Sequence, residues 1–175
     1  MTRRKLVASA LLGAALAARA KAAVFCAYDG KAFCLTASTG VAAVPAEVFK
    51  GDKKPLLVLV ALDDAGKATK NIALILTEEK AGSAKEAARI GLEEMRLAAG
   101  PYLHPEEKPS PAVLRKGLTA YGYGNGCADS TKCRPMNFLY FRVGARVLKA
   151  ACPPVAREAC VAELASLGPV LEKKK

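Results

Sequence analysis

The chain has one histidine in 175 residues and no tryptophan, and none of its apolar runs spans a bilayer comfortably. No Cys-x-x-Cys pair occurs, which removes the redox-enzyme signature, and no Cys-x-x-Cys-His, which removes ordinary covalent haem attachment. A Gly-x-Ser-x-Gly nucleophile elbow is missing, and so is the Gly-Lys-Ser/Thr ending of a phosphate loop. Basic residues form no concentrated stripe and no nucleic-acid reading motif, so no nucleic-acid partner is expected. The inventory for catalysis is thin.

What is present starts at the amino end. Arg3, Arg4 and Lys5 precede an apolar run from Leu6 to Ala18, and Ala20-Lys21-Ala22 closes the segment. Basic start, short apolar middle and small-x-small ending read as an export signal over residues 1–22, with cleavage after Ala22 and Ala20 as the alternative. The mature chain is then 23–175, one domain with a Lys-rich end at Lys173–Lys175, periplasmic or secreted and without a transmembrane segment. Losing Arg3, Arg4, Lys5, Arg19 and Lys21 changes the balance from 27 basic against 16 acidic side chains to 22 against 16. Much of the basicity is therefore targeting chemistry.

All six cysteines fall in the mature part: Cys26, Cys34, Cys127, Cys133, Cys152 and Cys160. An exported chain meets an oxidising compartment, and an even count favours three disulfides. Intervals of eight, six and eight do not match zinc knuckles, so no metal is expected. Two aromatic-rich strands flank Asp29-Gly30-Lys31, a turn signal. A three-residue loop sets Cys26 opposite Cys34, and the expected element is a terminal hairpin closed by that pair. A helix expected over about 154–167 puts Cys152 at its start and Cys160 about 12 Å along it. That span exceeds the roughly 7 Å a disulfide tolerates. Pairing Cys152 with Cys160 requires the chain to fold back through Pro153 and Pro154, so crossed bonds from Cys127 and Cys133 to Cys152 and Cys160 are preferred, in either of two patterns.

The remaining chain reads as α+β, an antiparallel sheet with a middle helix and a C-terminal helix, disulfide-stapled. Pro55–Leu62 is apolar on both faces and predicts a covered strand. Asp63–Gly66 is a turn, and Asn71–Thr77 returns antiparallel. Val41–Val44 and Ala46–Phe49 are edge pieces around Pro45. Ser83 with Glu86 three residues on is a capping box, opening a helix to Ala99 with an incomplete apolar side at Ala87, Ile90, Glu94 or Met95, and Leu97-Ala98. Gly91 inside it permits close approach to the sheet. Pro101–Pro111 is expected as an exposed connection, Val113–Tyr121 as a strand, and Met136–Leu148 as a half-buried strand with a bend at Gly144.

Chemistry-bearing candidates are few. His104 beside Glu106 and Glu107 is the one imaginable acid–base pair, and adjacent acids such as Asp63-Asp64, Glu78-Glu79 and Glu93-Glu94 read as solvated surface. No catalytic residue is assigned and no cofactor is expected. Residues 122–134 are the most distinctive stretch. Glycines, tyrosines and Asn125 suggest an adaptable loop held by cysteines, presenting Tyr121, Tyr123, Lys132 and Arg134 to an anionic partner. An early cysteine pair before strands and a later pair resembles, in coarse order, the small periplasmic invasion-associated locus B proteins. The missing tryptophan and the cysteine-bearing C-terminal helix depart from that pattern, so no residue role is carried over. The expected function is an exported, non-enzymatic binding protein whose partner is a protein or anionic envelope component. The alternative is a small secreted hydrolase using His104 with a carboxylate or hydroxyl partner.

Overall fold

The computed structural model describes residues 23–27, 33–37, 40–45, 53–98, 100–129 and 131–169. The expected export signal, the edge piece Ala46–Phe49, the Asp29-Gly30-Lys31 turn and the Lys-rich end lie outside the described residues.

The described residues form eleven strands and two α-helices: β1 (Ala23–Ala27), β2 (Phe33–Ala37), β3 (Val41–Val44), β4 (Leu57–Leu62), β5 (Ala68–Glu79), α1 (Ala84–Ala98), β6 (Leu103–Pro105), β7 (Ser110–Arg115), β8 (Leu118–Cys127), β9 (Met136–Val143), β10 (Arg146–Cys152), α2 (Arg157–Ala165) and β11 (Gly168–Pro169). The expected class is present: an antiparallel sheet, a middle helix and a C-terminal helix. The main sheet has eight strands in the order β3-β4-β5-β10-β9-β8-β6, with β7 also paired to β8. The smaller sheet is β1-β2-β11.

The two faces of the large sheet are filled differently. One carries Leu59, Leu74, Leu139, Phe141, Leu148 and Cys152, packed with Leu35 of the small sheet and with Cys160 and Leu164 of α2. On the other face Tyr123, Tyr140 and Val147 meet Ala84, Ala87, Ala88 and Leu92 of α1. Period-two alternation divides β9 between them, with Phe138 and Tyr140 toward α1 and Leu139 and Phe141 away. Tyr140 and Phe141 are both fully buried. The expected half-buried strand is therefore a central strand covered on both sides, and Gly144, at a φ of 61°, turns the chain into β10 as a hairpin rather than bending one strand.

Several local expectations hold. In the register of the terminal hairpin Cys26 stands directly opposite Cys34, and Cys34 is disulfide-bonded. At the start of α1, Ser83 Oγ accepts a hydrogen bond from the Glu86 backbone N–H at 3.1 Å. This satisfies one of the four unpaired donors of a helix start. The buried side of α1 is rotated from the one expected: Ala84, Ala87, Ala88 and Leu92 face the sheet, while Leu97 is 88% exposed. Small residues are needed there because Tyr123 and Tyr140 already fill the space beneath. Gly91 shows this most directly, since a β-carbon would lie 2.1 Å from the Tyr140 hydroxyl.

Other expectations are corrected. Residues 101–111 are not merely a connection; β6 and the start of β7 lie there and cap β8 along one edge. Gly122, Gly124 and Gly126 are not in a loop but inside β8, paired to β9 from Tyr121 to Asn125. Glycine usually marks turns, yet at Gly122 it answers packing: a β-carbon would come within 2.5 Å of Leu139 Cδ2 and 2.9 Å of the Phe138 carbonyl oxygen.

The crossed disulfides are also absent. Cys127 is bonded to Cys133, with Cα atoms 5.8 Å apart, and Cys152 is hydrogen-bonded to Cys160 within the core. The separation is too great only for a Cys152 that stands at the start of the helix. Cys152 instead ends β10, and the 3₁₀ turn Pro154–Ala156 reverses the chain before α2. Cys160, in the first turns of that helix, is thereby carried back over the strand end.

Candidate functional site

The residues singled out between 121 and 134 do not converge. Tyr123 is 3% exposed, lying against Phe138 with ring centroids 5.2 Å apart and beside Tyr140 at 6.0 Å. A surface that displays Tyr123 is therefore corrected: the side chain belongs to the core beneath α1. Tyr121 is half-buried at the edge of the same cluster. Lys132 and Arg134 are exposed on the loop after β8. That loop is a compact turn, because Asp129 Oδ1 accepts from the Thr131 backbone N–H at 2.9 Å and from its hydroxyl at 2.7 Å. The Thr131 hydroxyl, then its amide, holds the Asp129 carboxyl below its ordinary pKa. His104 is exposed on β6, opposite Gly126. Its ring makes no hydrogen bond or ion pair among the described residues.

A different group of side chains does converge. Helix α1 packs chiefly over β8 and β9, leaving β5 and β10 beside it incompletely roofed. There a cavity of about 370 Å³ opens between the helix flank and the sheet, lined by Lys53, Glu79, Gly91, Glu94, Tyr140 and Lys149 among others. Only Gly91 and Glu94 share an element, both on α1; the others come from distant parts of the chain. Lys149 is on β10, opposite Tyr140 of β9 and Thr77 of β5. Glu79 ends β5, opposite Val147, and Glu94 hangs from the third turn of α1. Lys53 lies just before β4 and donates a short hydrogen bond to Glu79, whose side chain is only 12% exposed.

Lys149 is the unusual member. It shares the α1 face with Val147 and Ala151, a position that alternation assigns to apolar residues. Its ammonium lies 4.9 Å from the Phe138 ring centre and 5.7 Å from that of Tyr140. Such contacts contribute about 0.5–2 kcal/mol and offset part of the cost of desolvating the charge. Burial, reinforced by the charge of Lys53, holds the Lys149 pKa below the ordinary lysine value, against the opposing pull of Glu79 and Glu94. Tyr140, which lines the cavity, is hydrogen-bonded through its hydroxyl to that of Tyr123 at 3.2 Å. Burial is the first cause raising both phenol pKa values, so both hydroxyls stay protonated across the neutral range.

The cavity thus combines amines, carboxylates and a fixed phenol on a partly apolar wall, the composition of a small polar-ligand site. Among the described residues no cluster of three or more His, Cys, Asp or Glu is arranged to hold a metal ion.

Sequence reasoning missed Lys53, Glu79, Glu94 and Lys149. One signal was available: Lys149 interrupts the apolar run Val147–Cys152, where a lysine has no reason to be unless its head reaches a polar space. No protein-family model matches the chain, and no curated protein matches it.

Proposed function

We propose that the chain is an exported, non-enzymatic binding module that takes a small carboxylate-bearing molecule into the cavity between α1 and the sheet. The observation that carries this reading is Lys149. An ammonium in a largely desolvated position, held by ring faces on the border of an open cavity, is stabilised by any anion that enters. A carboxylate also accepts charge-assisted hydrogen bonds, roughly twice as strong as neutral ones. The Tyr140 hydroxyl on the same wall supplies a further donor when Tyr123 donates within the phenol pair. Glu79 and Glu94 repel a bare polyanion and favour a ligand with one acidic group and a neutral or cationic remainder. An anionic partner fits the mildly basic balance of the mature chain.

The basic, apolar, small-residue order of residues 1–22 supports a periplasmic or secreted location. No helix of the described residues is long and apolar enough to cross a membrane. The alternative, a hydrolase built on His104, has no supporting observation, because that ring is exposed and meets no carboxylate or hydroxyl partner among the described residues.

The test is thermal unfolding of the mature protein with a panel of small carboxylates and their amides. A ligand at one hundred times its Kd adds about 2.7 kcal/mol to stability, a clear upward shift in Tm. The shift is expected for acids and not for amides, and it disappears in Lys149→Met. Equal shifts for acids and amides, or none for either, would refute the site.

A further inference from the structure

We infer that Lys149 is a carbonyl-reactive amine, and that the cavity captures a small aldehyde or 2-oxo acid as a reversible imine at Lys149 Nζ. This rests on the reading of the cavity as the binding site and adds a covalent step to it.

The placement meets the three needs of that chemistry. The amine must reach a space that admits a small molecule, and Lys149 borders a cavity of about 370 Å³, within the usual range for ligand pockets. Its nitrogen must be available as the free base. The groups facing it are Lys53 from the segment before β4, Glu79 from β5, Glu94 from α1 and Tyr140 from β9, with Glu78 and Lys80 farther along the rim. Glu79 is engaged by Lys53, while Lys149 itself rests on the rings of Phe138 and Tyr140. Burial, the largest influence, favours loss of its proton and the Lys53 ammonium adds to it, against the opposing charges of Glu79 and Glu94; burial and a neighbouring cation are the two devices by which proteins activate lysine toward carbonyls. Finally, a proton carrier must be near, and Glu94 opens onto the same cavity.

The step balances without an oxidant or reductant. Neutral Nζ adds to the carbonyl carbon, and one N–H proton passes to the oxygen to give a carbinolamine. The second N–H proton leaves with that hydroxyl as water, and the C=N bond forms. Glu94 accepts and returns the proton between these stages. The Lys53 ammonium receives the carboxylate of a 2-oxo acid, which distinguishes such a ligand from a simple aldehyde.

The experiment incubates the folded mature protein at pH 7 with glyoxylate or pyruvate and sodium cyanoborohydride, whose hydride reduces an imine to a stable secondary amine. Peptide mass mapping then locates the adduct. Lys149 is expected to be labelled faster than the exposed Lys67, Lys70 and Lys85. Lys149→Arg, checked for an unchanged melting profile, is expected to lose that adduct, and Lys53→Met to slow it more for pyruvate than for acetaldehyde. Label spread over the exposed lysines with Lys149 spared overturns the inference, and because that result comes from the wild-type protein it does not depend on any variant folding. Lactate, which has the carboxylate but no carbonyl, separates the two readings. If lactate raises Tm while Lys149 resists trapping, the binding site stands and the imine does not.

Discussion

Gly91 lies so close to Tyr140 that a β-carbon added to it would sit 2.1 Å from the phenol oxygen and 2.9 Å from Cζ. In an open helix, alanine for glycine gains about 1 kcal/mol. Here the sign reverses, because Tyr140 is 1% exposed and its hydroxyl is tied to Tyr123. Gly91→Ala is expected to destabilise by about 1–3 kcal/mol, the usual range for overpacking. Tyr140→Phe removes the nearest atom and should recover part of that loss in the double variant. Urea denaturation of the four proteins in the cycle measures it, and strict additivity would show that the two residues do not collide.

The same phenol pair sets the alkaline limit of the fold. Folded-state pKa values of Tyr123 and Tyr140 lie above the unfolded value. The unfolded chain therefore releases these protons first, and stability falls as pH rises beyond about 10. Their contribution is fully present below that pH. Absorbance titration at alkaline pH should show these two phenols ionising only as the protein unfolds. Ionisation of Tyr123 and Tyr140 in still-folded protein would contradict this placement.

The disulfide arrangement is open to direct mapping. Peptides from the oxidised protein should join Cys127 to Cys133 and Cys152 to Cys160, never one pair to the other. In reduced, folded protein Cys160 should resist alkylation until denaturant is added. Its hydrogen bond to Cys152 and its burial raise the thiol pKa, and the thiolate is the reactive form. A Cys127–Cys152 peptide would restore the crossed pattern.

Removing the helix cap tests a contact that alternation and packing do not influence. Ser83→Ala leaves the Glu86 N–H without its side-chain acceptor. A loss of about 1 kcal/mol is expected, read by chemical denaturation. Ser83→Asp should restore most of it.

Legibility followed range. The β1–β2 register, the Asp63–Gly66 turn and the Ser83 cap are local, and a few neighbouring residues determine each. Strand β4 was visible because apolar residues on both faces have few other uses. Gly122 and Gly124 misled because the sequence shows a missing side chain but not what occupies the space, here Leu139 for the first and Asn137 and Glu106 for the second. Tyr123 and Arg134 look equivalent along the chain, and only the position of α1 decides that one is roofed. The Lys149 cavity was the least legible feature. Its lining comes from positions 53, 79, 94, 140 and 149, and no spacing rule links residues that meet only when β5, β9 and β10 are aligned.

The small sheet has a consequence for the order of folding. Strand β2 is hydrogen-bonded to β11, with Gly168 opposite Cys34, and the Thr36 N–H donates to Ser166 Oγ at 2.7 Å across 130 positions. One of the earliest described segments to leave the ribosome therefore waits for one of the last before its sheet is complete. Contacts so distant in sequence carry a large loop-closure cost and slow folding. Until that clasp closes, the chain has an open β2 edge and an uncovered core face at Leu35.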